Sequence, residues 1–272
     1  MAIATETILK PDGFTGSVAR PEHAKGPLPG LLVIQEAWGV DAHIEDVTRR
    51  FAAAGYLALA PDLFAVDGNR PAPLARDRMA ELIAFVNSGP PNLMGDPAAR
   101  AAALATRPEA ERGRLGESLA ALTSSFQPDR REAQLAIVEA AALYLREERE
   151  ETRGQSIGSV GFCLGGTLSA LLACRDPELG AAVIFYGTPP AVDELAKIRC
   201  PVLGFYGGKD HRVTSQVPAF AEAMAAAGKR FEHLVYPEAG HAFFNDNRPS
   251  YDVAAARDAF ARALTFFRDA LT

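Results

Sequence analysis

The chain has 272 residues, 48% of them hydrophobic, and a formal net charge of −6 at pH 7. That hydrophobic content suffices for one large core, whereas an acidic chain without a basic cluster excludes a nucleic-acid-binding protein. No apolar run is long enough to cross a bilayer, so we expect no membrane partner.

The amino-terminal part of the chain alternates predicted strands with a predicted helix. Residues 7–27 are predicted as edge strands and turns, with one turn at 11–13. Residues 31–35 and 56–60 are continuous apolar runs, as expected of parallel strands covered on both faces. Between them, apolar residues at helical spacing predict a helix over 43–54.

The middle of the chain is predicted to be helical. Helices are expected at 75–86, 97–126 and 130–145. The second of these is Ala-rich and is expected to break near Pro108 and Gly113. We interpret residues 88–130 as a helical insertion, which either walls the pocket as a lid or packs on the surface.

The carboxyl-terminal part returns to alternating strands and helices. Strands are expected at 157–160, 181–186, 201–206 and 231–236, and helices at 213–227 and 251–271. This alternation predicts an α/β fold with a mostly parallel central sheet and helices on both faces. We assign residues 1–272 to a single domain of this class.

Cys163 stands at an abrupt turn between a predicted strand and a predicted helix. Gly161 precedes it by two residues and Gly165 follows it by two, which is the G-x-nucleophile-x-G pattern of a nucleophile elbow. Both glycines are needed because the chain passes close to itself in such a turn. The free N–H groups at the start of the helix would stabilise a thiolate. Phosphate-binding turns instead need G-x-G-x-x-G or a final Gly-Lys-Ser/Thr, and neither is present.

Two further candidate catalytic residues, Asp210 and His241, also follow predicted strands. The carboxyl ends of parallel strands meet at one sheet edge, and the order nucleophile, acid, histidine is that of α/β-hydrolases. His241 would take the thiol proton, and Asp210 would orient the imidazole. The backbone N–H groups of Leu164 and Ala37 would form the oxyanion hole.

Each of these three residues also has a purely structural explanation. Asp210 could cap the following helix, His241 could be a surface histidine, and Cys163 could fill the core. The occurrence of all three in the right order, each after a strand, favours the catalytic interpretation. We interpret the other two cysteines, Cys174 and Cys200, as structural.

Five segments carry a family resemblance. They are VIQEAWG at 33–39, GYLALAPDL at 55–63, GFCLGG at 161–166, YGGKD at 206–210 and GHAF at 240–243. With these motifs the sequence resembles the dienelactone hydrolase (carboxymethylenebutenolidase) family of α/β-hydrolases, from about residue 5 to residue 271. A cysteine elbow together with the Gln35-Glu36 pair is fairly specific to this family.

The resemblance implies a role for Glu36. In the family this glutamate sits near the resting thiol, moves when substrate binds, and helps to generate the thiolate. A thiol that is activated only by substrate is protected from oxidation. A buried carboxylate also needs a hydrogen-bond partner, which the neutral thiol of Cys163 can supply.

The resemblance also indicates which residues contact the substrate. We expect these to be Trp38, Phe243, Asn245 and Arg248. Characterised members of the family hold the substrate carboxylate with an arginine a few residues after the histidine, whereas this chain has Asn245 there and Arg248 further on. Arg248 either substitutes for that arginine or is a surface residue. A second family arginine lies in the middle segment, where the alternatives are Arg70, Arg76 and Arg78.

We therefore expect a cysteine-dependent hydrolase that opens a dienelactone-like lactone or ester, a small molecule, through a thioester intermediate. No cofactor is expected, and no metal, because no cluster of histidines and carboxylates has the spacing of metal ligands. One alternative is a general carboxylesterase for small uncharged esters. An alternative from another class is a non-catalytic binding protein on the same fold.

The cysteine content indicates the compartment. Three cysteines form no disulfide framework, which is typical of a reducing environment. Residues 1–14 lack the basic segment and apolar core of a signal peptide. We therefore expect a cytoplasmic protein, and the sequence leaves its oligomeric state open.

Overall fold

The computed structural model describes residues 2–10, 14–65, 68–90 and 93–271, so the turn predicted at 11–13 lies outside the described residues. Within them, eight strands form one sheet in the order β1-β2-β4-β3-β5-β6-β7-β8. The strands are β1 (Ile3–Leu9), β2 (Thr15–Pro21), β3 (Gly30–Ile34), β4 (Leu57–Pro61), β5 (Ile157–Phe162), β6 (Ala181–Phe185), β7 (Val202–Gly207) and β8 (Phe231–Tyr236).

The sheet is mostly parallel. Strands β3 to β8 run parallel, whereas β1 pairs antiparallel with β2 and β2 antiparallel with β4. Every residue of β3 and β4 is buried, as their apolar runs predict for strands covered on both faces. The α/β fold class predicted from the sequence is thus confirmed.

Helices cover both faces of the sheet. They are α1 (Ala42–Ala53), α2 (Arg76–Ser88), α3 (Pro97–Ala105), α4 (Glu109–Ser124), α5 (Pro128–Glu147), α6 (Leu164–Arg175), α7 (His211–Thr214), α8 (Val217–Ala226) and α9 (Val253–Leu271). Apolar side chains of α5, α6 and α8 form a core on one face, and those of α1 and α9 form a second core on the other face.

The segment 88–130 contains α3 and α4, and it builds a third, smaller core. Leu115, Leu119 and Leu122 of α4 pack with Leu82 and Phe85 of α2. Ala37 and Trp38, which follow β3, belong to the same cluster. The segment is therefore joined by apolar packing to the loop beside the predicted active site, and its assignment to one domain with the sheet stays a prediction.

Two predicted helix boundaries are wrong. Gly113 does not interrupt α4, because a glycine inside an exposed helix costs only about 1 kcal/mol, which the packing of the buried leucines offsets. The helix predicted at 213–227 is divided into α7 and α8. Pro218 lies in the first turn of α8. Because proline has no N–H, it cannot donate the hydrogen bond that would continue the helix from α7.

The elbow after β5 depends on two glycines. A Cβ on Gly161 would lie 1.8 Å from the carbonyl oxygen of Gly165. A Cβ on Gly165 would lie 2.2 Å from the carbonyl oxygen of Ile34 in β3. The crowding predicted from the motif is therefore present, and it brings the start of α6 against the ends of both β5 and β3.

We expect Gly161→Ala to lower the free energy of unfolding by about 3 kcal/mol or more, because the methyl group would displace backbone rather than a flexible side chain. Gly113→Ala is the matched control. No heavy atom lies within 4 Å of its added Cβ, so it should raise the free energy of unfolding by about 0.5–1 kcal/mol. Urea denaturation measures both, and equal effects of the two substitutions would contradict the crowding argument.

Candidate active site

Cys163 lies at the turn between β5 and α6 in an unusual backbone conformation. Its φ of 54° and ψ of −111° fall in a region that side chains rarely adopt. Such a conformation costs on the order of 1–3 kcal/mol and persists only where the surroundings fix it. Here the N–H of Cys163 donates to the carbonyl oxygen of Phe185 at 3.0 Å. The residue is partly exposed.

The structure brings His241 and Asp210 to this cysteine from distant parts of the chain. The Nε2 atom of His241 lies 3.1 Å from the sulfur of Cys163. The Nδ1 atom of the same ring lies 2.5 Å from Oδ2 of Asp210, which is buried. Asp210 makes no side-chain capping bond to α7, so the capping alternative does not describe its contacts.

The charge state of His241 follows from these two neighbours. Burial by itself lowers the pKa of His241, but the negative charges of Cys163 and Asp210 and their hydrogen bonds outweigh it and raise the pKa to about 10. The protonated imidazole is therefore favoured at neutral pH whenever the sulfur carries a charge. The arrangement can hold a proton on His241 beside a thiolate.

Two backbone N–H groups lie at the same edge. Leu164 is the first residue of α6, and Ala37 lies in the loop after β3. Neither N–H group has an acceptor in the described part of the chain. The start of α6 lies against the end of β3, because a Cβ on Gly165 would meet the carbonyl oxygens of both Ile34 and Gln35 within 2.5 Å. This edge can donate to a developing oxyanion.

Glu36 is buried in the loop that follows β3, but its hydrogen-bond partners differ from the expected one. Its Oε1 accepts from the hydroxyl of Tyr186 at 3.0 Å, and its Oε2 accepts from Nδ2 of Asn245 at 2.7 Å. The expected partner, the resting thiol of Cys163, contacts His241 instead. Glu36 does not need the thiol as a partner, because two neutral donors already satisfy both of its carboxylate oxygens.

Tyr186 is a site residue that the sequence reasoning missed. It follows β6, has a φ of 42° and is buried, with its ring centroid 5.1 Å from that of His241. Burial and the negative charge of Glu36 raise its pKa well above the usual value, so the hydroxyl remains a donor. The sequence could have indicated Tyr186, because a tyrosine at the carboxyl end of a buried strand places its hydroxyl at that edge of the sheet.

The expected substrate residues divide into two groups. Phe243 is wrong as a contact residue, because it is fully buried and packs against Phe185, Tyr186 and Tyr236. The other three line a cleft of about 450 Å³ on the side of α2, which we call the α2 cleft. Its lining residues are Trp38, Val40, Asp41, Ala42, Arg70, Arg76, Met79, Ala80, Ile83, Ala84, Asn87, Asn245, Asn247 and Arg248.

Arg248 occupies a distinctive position in this cleft. Its guanidinium carbon lies 4.7 Å from the centroid of the Trp38 ring. Its Nη1 is buried without a hydrogen-bond partner, and it forms no ion pair with the described residues. Burial lowers the pKa of Arg248, and the negative charges of Glu36, Asp41 and Cys163 oppose that shift. This cation thus lies close enough to Cys163 to feel its charge.

The three arginines of the middle segment are already engaged. Arg70 pairs with Asp62 at 2.6 Å, and its Nη2 donates to the carbonyl oxygen of Val40 at 3.2 Å. Arg76 pairs with Glu45 at 2.7 Å and Arg78 with Glu117 at 3.1 Å. Arg78 also has a buried Nε without a partner, but it does not line the α2 cleft. Among the described residues that line the cleft, Arg248 is therefore the cation with a buried donor to offer.

The described residues contain neither a cluster of metal ligands nor a membrane-spanning helix. Over residues 2–10, 14–65, 68–90 and 93–271, no group of three or more histidines, cysteines and carboxylates could hold a metal ion. Over the same residues, no helix combines the length and apolar character that crossing a membrane requires.

Comparison with known proteins assigns the chain to one group. A model of the dienelactone hydrolase family matches residues 14–271. The chain is similar to a protein named "Putative carboxymethylenebutenolidase" from Escherichia coli (strain K12), with 32% identity over 268 residues, 94% of this chain and 83% of that protein. A protein of the same name from Saccharolobus solfataricus is 34% identical over 253 residues, 92% of each chain.

A solved structure from the same group is also similar. The crystal structure of a protein described as "Putative Dienelactone Hydrolase" from Klebsiella pneumoniae subsp. pneumoniae has a TM-score of 0.71 and 31% sequence identity. The superposition covers 98% of this chain and 99% of that one. The shared fold therefore extends over the whole sheet and its helices.

The contact between the sulfur and His241 predicts selective alkylation of Cys163 by iodoacetamide at pH 7.5. Cys174 and Cys200 are both buried, which raises their pKa values to about 11 and about 12. We expect Cys163 to react at least about tenfold faster than either, and His241→Gln to slow it by about tenfold or more. Peptide mass spectrometry measures all three rates.

Two outcomes would contradict this geometry. Equal labelling of the three cysteines would mean that Cys163 has no special environment. Labelling of Cys163 at an unchanged rate in His241→Gln would mean that the imidazole does not activate the sulfur.

Proposed function

Because the chain belongs to the dienelactone hydrolase family, we propose that it opens a lactone or ester with Cys163 as nucleophile, through a thioester intermediate. The observation that carries the proposal is the continuous contact from Cys163 through His241 to Asp210. A nucleophile within hydrogen-bond reach of a base, which a third group orients, is the arrangement that acyl transfer requires.

In the first half of the reaction, His241 accepts the proton of the Cys163 thiol. The thiolate attacks the carbonyl carbon, and the carbonyl oxygen becomes an oxyanion that accepts from the N–H groups of Leu164 and Ala37. The tetrahedral adduct then collapses, the bond to the leaving oxygen breaks, and His241 returns its proton to that oxygen. In a lactone the leaving oxygen remains attached to the acyl chain of the thioester.

In the second half, a water molecule takes the place of the thiol. His241 accepts a proton from the water, and the oxygen attacks the thioester carbonyl at the same oxyanion position. Collapse breaks the carbon–sulfur bond, releases the carboxylic acid and returns the proton from His241 to the sulfur. Asp210 stays charged throughout and stabilises the imidazolium that forms twice in the cycle.

Glu36 takes the role that the family resemblance implies, assistance to thiolate formation when substrate binds. Both of its oxygens are bound, so that role requires the substrate to displace one of its two partners. Both partners are buried, but Asn245 lines the α2 cleft and Tyr186 does not. Asn245 is therefore the partner that an entering substrate reaches first.

Arg248 favours a substrate that carries a carboxylate over a small uncharged ester. A buried guanidinium donor without a partner costs free energy, and a carboxylate would satisfy it with a charge-assisted bond. Uncharged esters leave that donor unsatisfied. A carboxylated lactone or ester is accordingly the proposed substrate class, with the general carboxylesterase as the alternative that the Arg248 experiment below tests.

A non-catalytic binding protein accounts poorly for the same site. Binding alone needs neither a strained cysteine nor an imidazole 3.1 Å from its sulfur. Strained conformations of this kind are retained where the chemistry uses them.

We expect Cys163→Ala to reduce kcat for a p-nitrophenyl ester by about 10⁴-fold or more, because the thioester can no longer form. Stopped-flow measurement on the unmodified protein should show a burst of p-nitrophenol equal to the enzyme concentration whenever deacylation is slower than acylation. Cys200→Ala removes a buried thiol remote from the site and serves as the control, with kcat retained. Hydrolysis that survives in Cys163→Ala would refute the proposed nucleophile.

We expect Arg248→Gln to lower kcat/KM for a carboxylated lactone by about 10- to 100-fold, since a charge-assisted bond contributes roughly 1.5–3 kcal/mol. The effect on an uncharged p-nitrophenyl ester should stay within about threefold. Arg76→Gln is the matched control, because Arg76 lines the same cleft but is exposed and paired with Glu45. If Arg248→Gln affects both substrates equally, the general carboxylesterase becomes the better description.

A further inference from the structure

The α2 cleft combines apolar and polar lining residues. Met79, Ala80, Ile83 and Ala84 of α2 form an apolar wall. The lining outside α2 includes the apolar residues Trp38, Val40 and Ala42 as well as Arg248, Asp41, Asn245 and Asn247. A pocket that combines an apolar wall with a few polar groups is typical of a site for a small organic molecule.

The apolar wall is held in place from behind. The opposite face of α2 buries Leu82 and Phe85 against Leu119 and Leu122 of α4. Because helical residues three or four apart share a face, this packing directs Ala80, Ile83 and Ala84 toward the cleft. The described residues of the segment 88–130 thus support the cleft wall and do not line the cleft.

The cleft adjoins the catalytic edge through two residues. Asn245 lines it and also donates to Glu36. Arg248 lines it and donates its backbone N–H to the carbonyl oxygen of Asn245 at 3.0 Å. The thiol itself does not line the cleft, so a molecule bound there would place one end at Arg248 and a second group along α2.

We propose that the α2 cleft is a subsite for an aliphatic or aromatic group of the substrate, next to a carboxylate held by Arg248. The inference rests on the proposed function, since it extends the same substrate. A closed apolar cavity of about 150 Å³ holds benzene. A cleft of about 450 Å³ therefore has room for an aromatic ring or a chain of about eight carbons, far more than an acetyl group fills.

Binding can be measured without any turnover. Trp38 is the single tryptophan of the chain and lines the cleft, so its fluorescence reports occupancy directly. 4-Phenylbutyrate is the probe, because it carries one carboxylate and one aromatic ring, and butyrate is the comparison probe. We expect 4-phenylbutyrate to bind at least tenfold more tightly than butyrate, since each buried methylene group is worth about fourfold in affinity.

Ala84→Phe fills the cleft from an exposed helix position, where a larger side chain does not disturb the core. It should weaken 4-phenylbutyrate binding by tenfold or more. Ala136→Phe makes the same change at an exposed position of α5 outside the cleft and should leave binding unchanged. If Ala84→Phe and Ala136→Phe bind the probe equally well, the cleft is not the site.

The kinetic experiment tests whether the bound group belongs to the substrate. For p-nitrophenyl esters with acyl chains of two to eight carbons, Ala84→Phe should lower the octanoyl-to-acetyl ratio of kcat/KM by tenfold or more. Ile83→Ala, which widens the same wall, should raise that ratio. 4-Phenylbutyrate should inhibit octanoyl ester hydrolysis competitively, and non-competitive inhibition would overturn the proposal in favour of a separate effector site.

Failure of this inference differs from failure of the proposed function. Hydrolysis that depends on Cys163 but has an octanoyl-to-acetyl ratio unaffected by Ala84→Phe would refute the subsite alone. An altered ratio in Ala84→Phe, together with full hydrolysis by Cys163→Ala, would refute the nucleophile and leave the subsite in place.

Discussion

The close approach of three backbone segments at the elbow is the constraint on which the site depends. The carbonyl of Gly165 occupies the space where a side chain of Gly161 would be, and the end of β3 occupies the space beside Gly165. This contact fixes Cys163 in its strained turn and places the start of α6 next to the loop that carries Ala37. Without it, neither the sulfur nor the unpaired N–H groups would lie at the same edge.

The fold could be predicted because its signals are local and mutually consistent. Continuous apolar runs identify β3 and β4, and the glycines around Cys163 identify the elbow. The order of Cys163, Asp210 and His241 along the chain also identifies which groups meet, because parallel strands end at one edge. Helix boundaries were less predictable, since Gly113 is tolerated wherever packing on the opposite face is sufficient.

The environment of Glu36 could not be predicted because it depends on long-range contacts. Its two donors are 150 and 209 residues away along the chain, and nothing local links them to it. Phe243 failed for a related reason, since adjacency to His241 does not determine whether a side chain faces substrate or core. Arg248 depends on long-range contacts in the same way, because its Nη1 is recognisable as lacking a hydrogen-bond partner among the described residues only once every nearby acceptor has been located.

The small core shared by α2 and α4 is separate from the two cores that flank the sheet, and this separation affects how the protein could evolve. In the proposed function, chemistry and selectivity rest on different layers, because the sheet edge carries the proposed reacting groups while α2 and its support shape the neighbouring cleft. On that proposal, substitutions in the second layer would alter which molecules fit and leave the strained cysteine undisturbed. An ancestral chain with this architecture could diversify its range of substrates without first losing its reactivity.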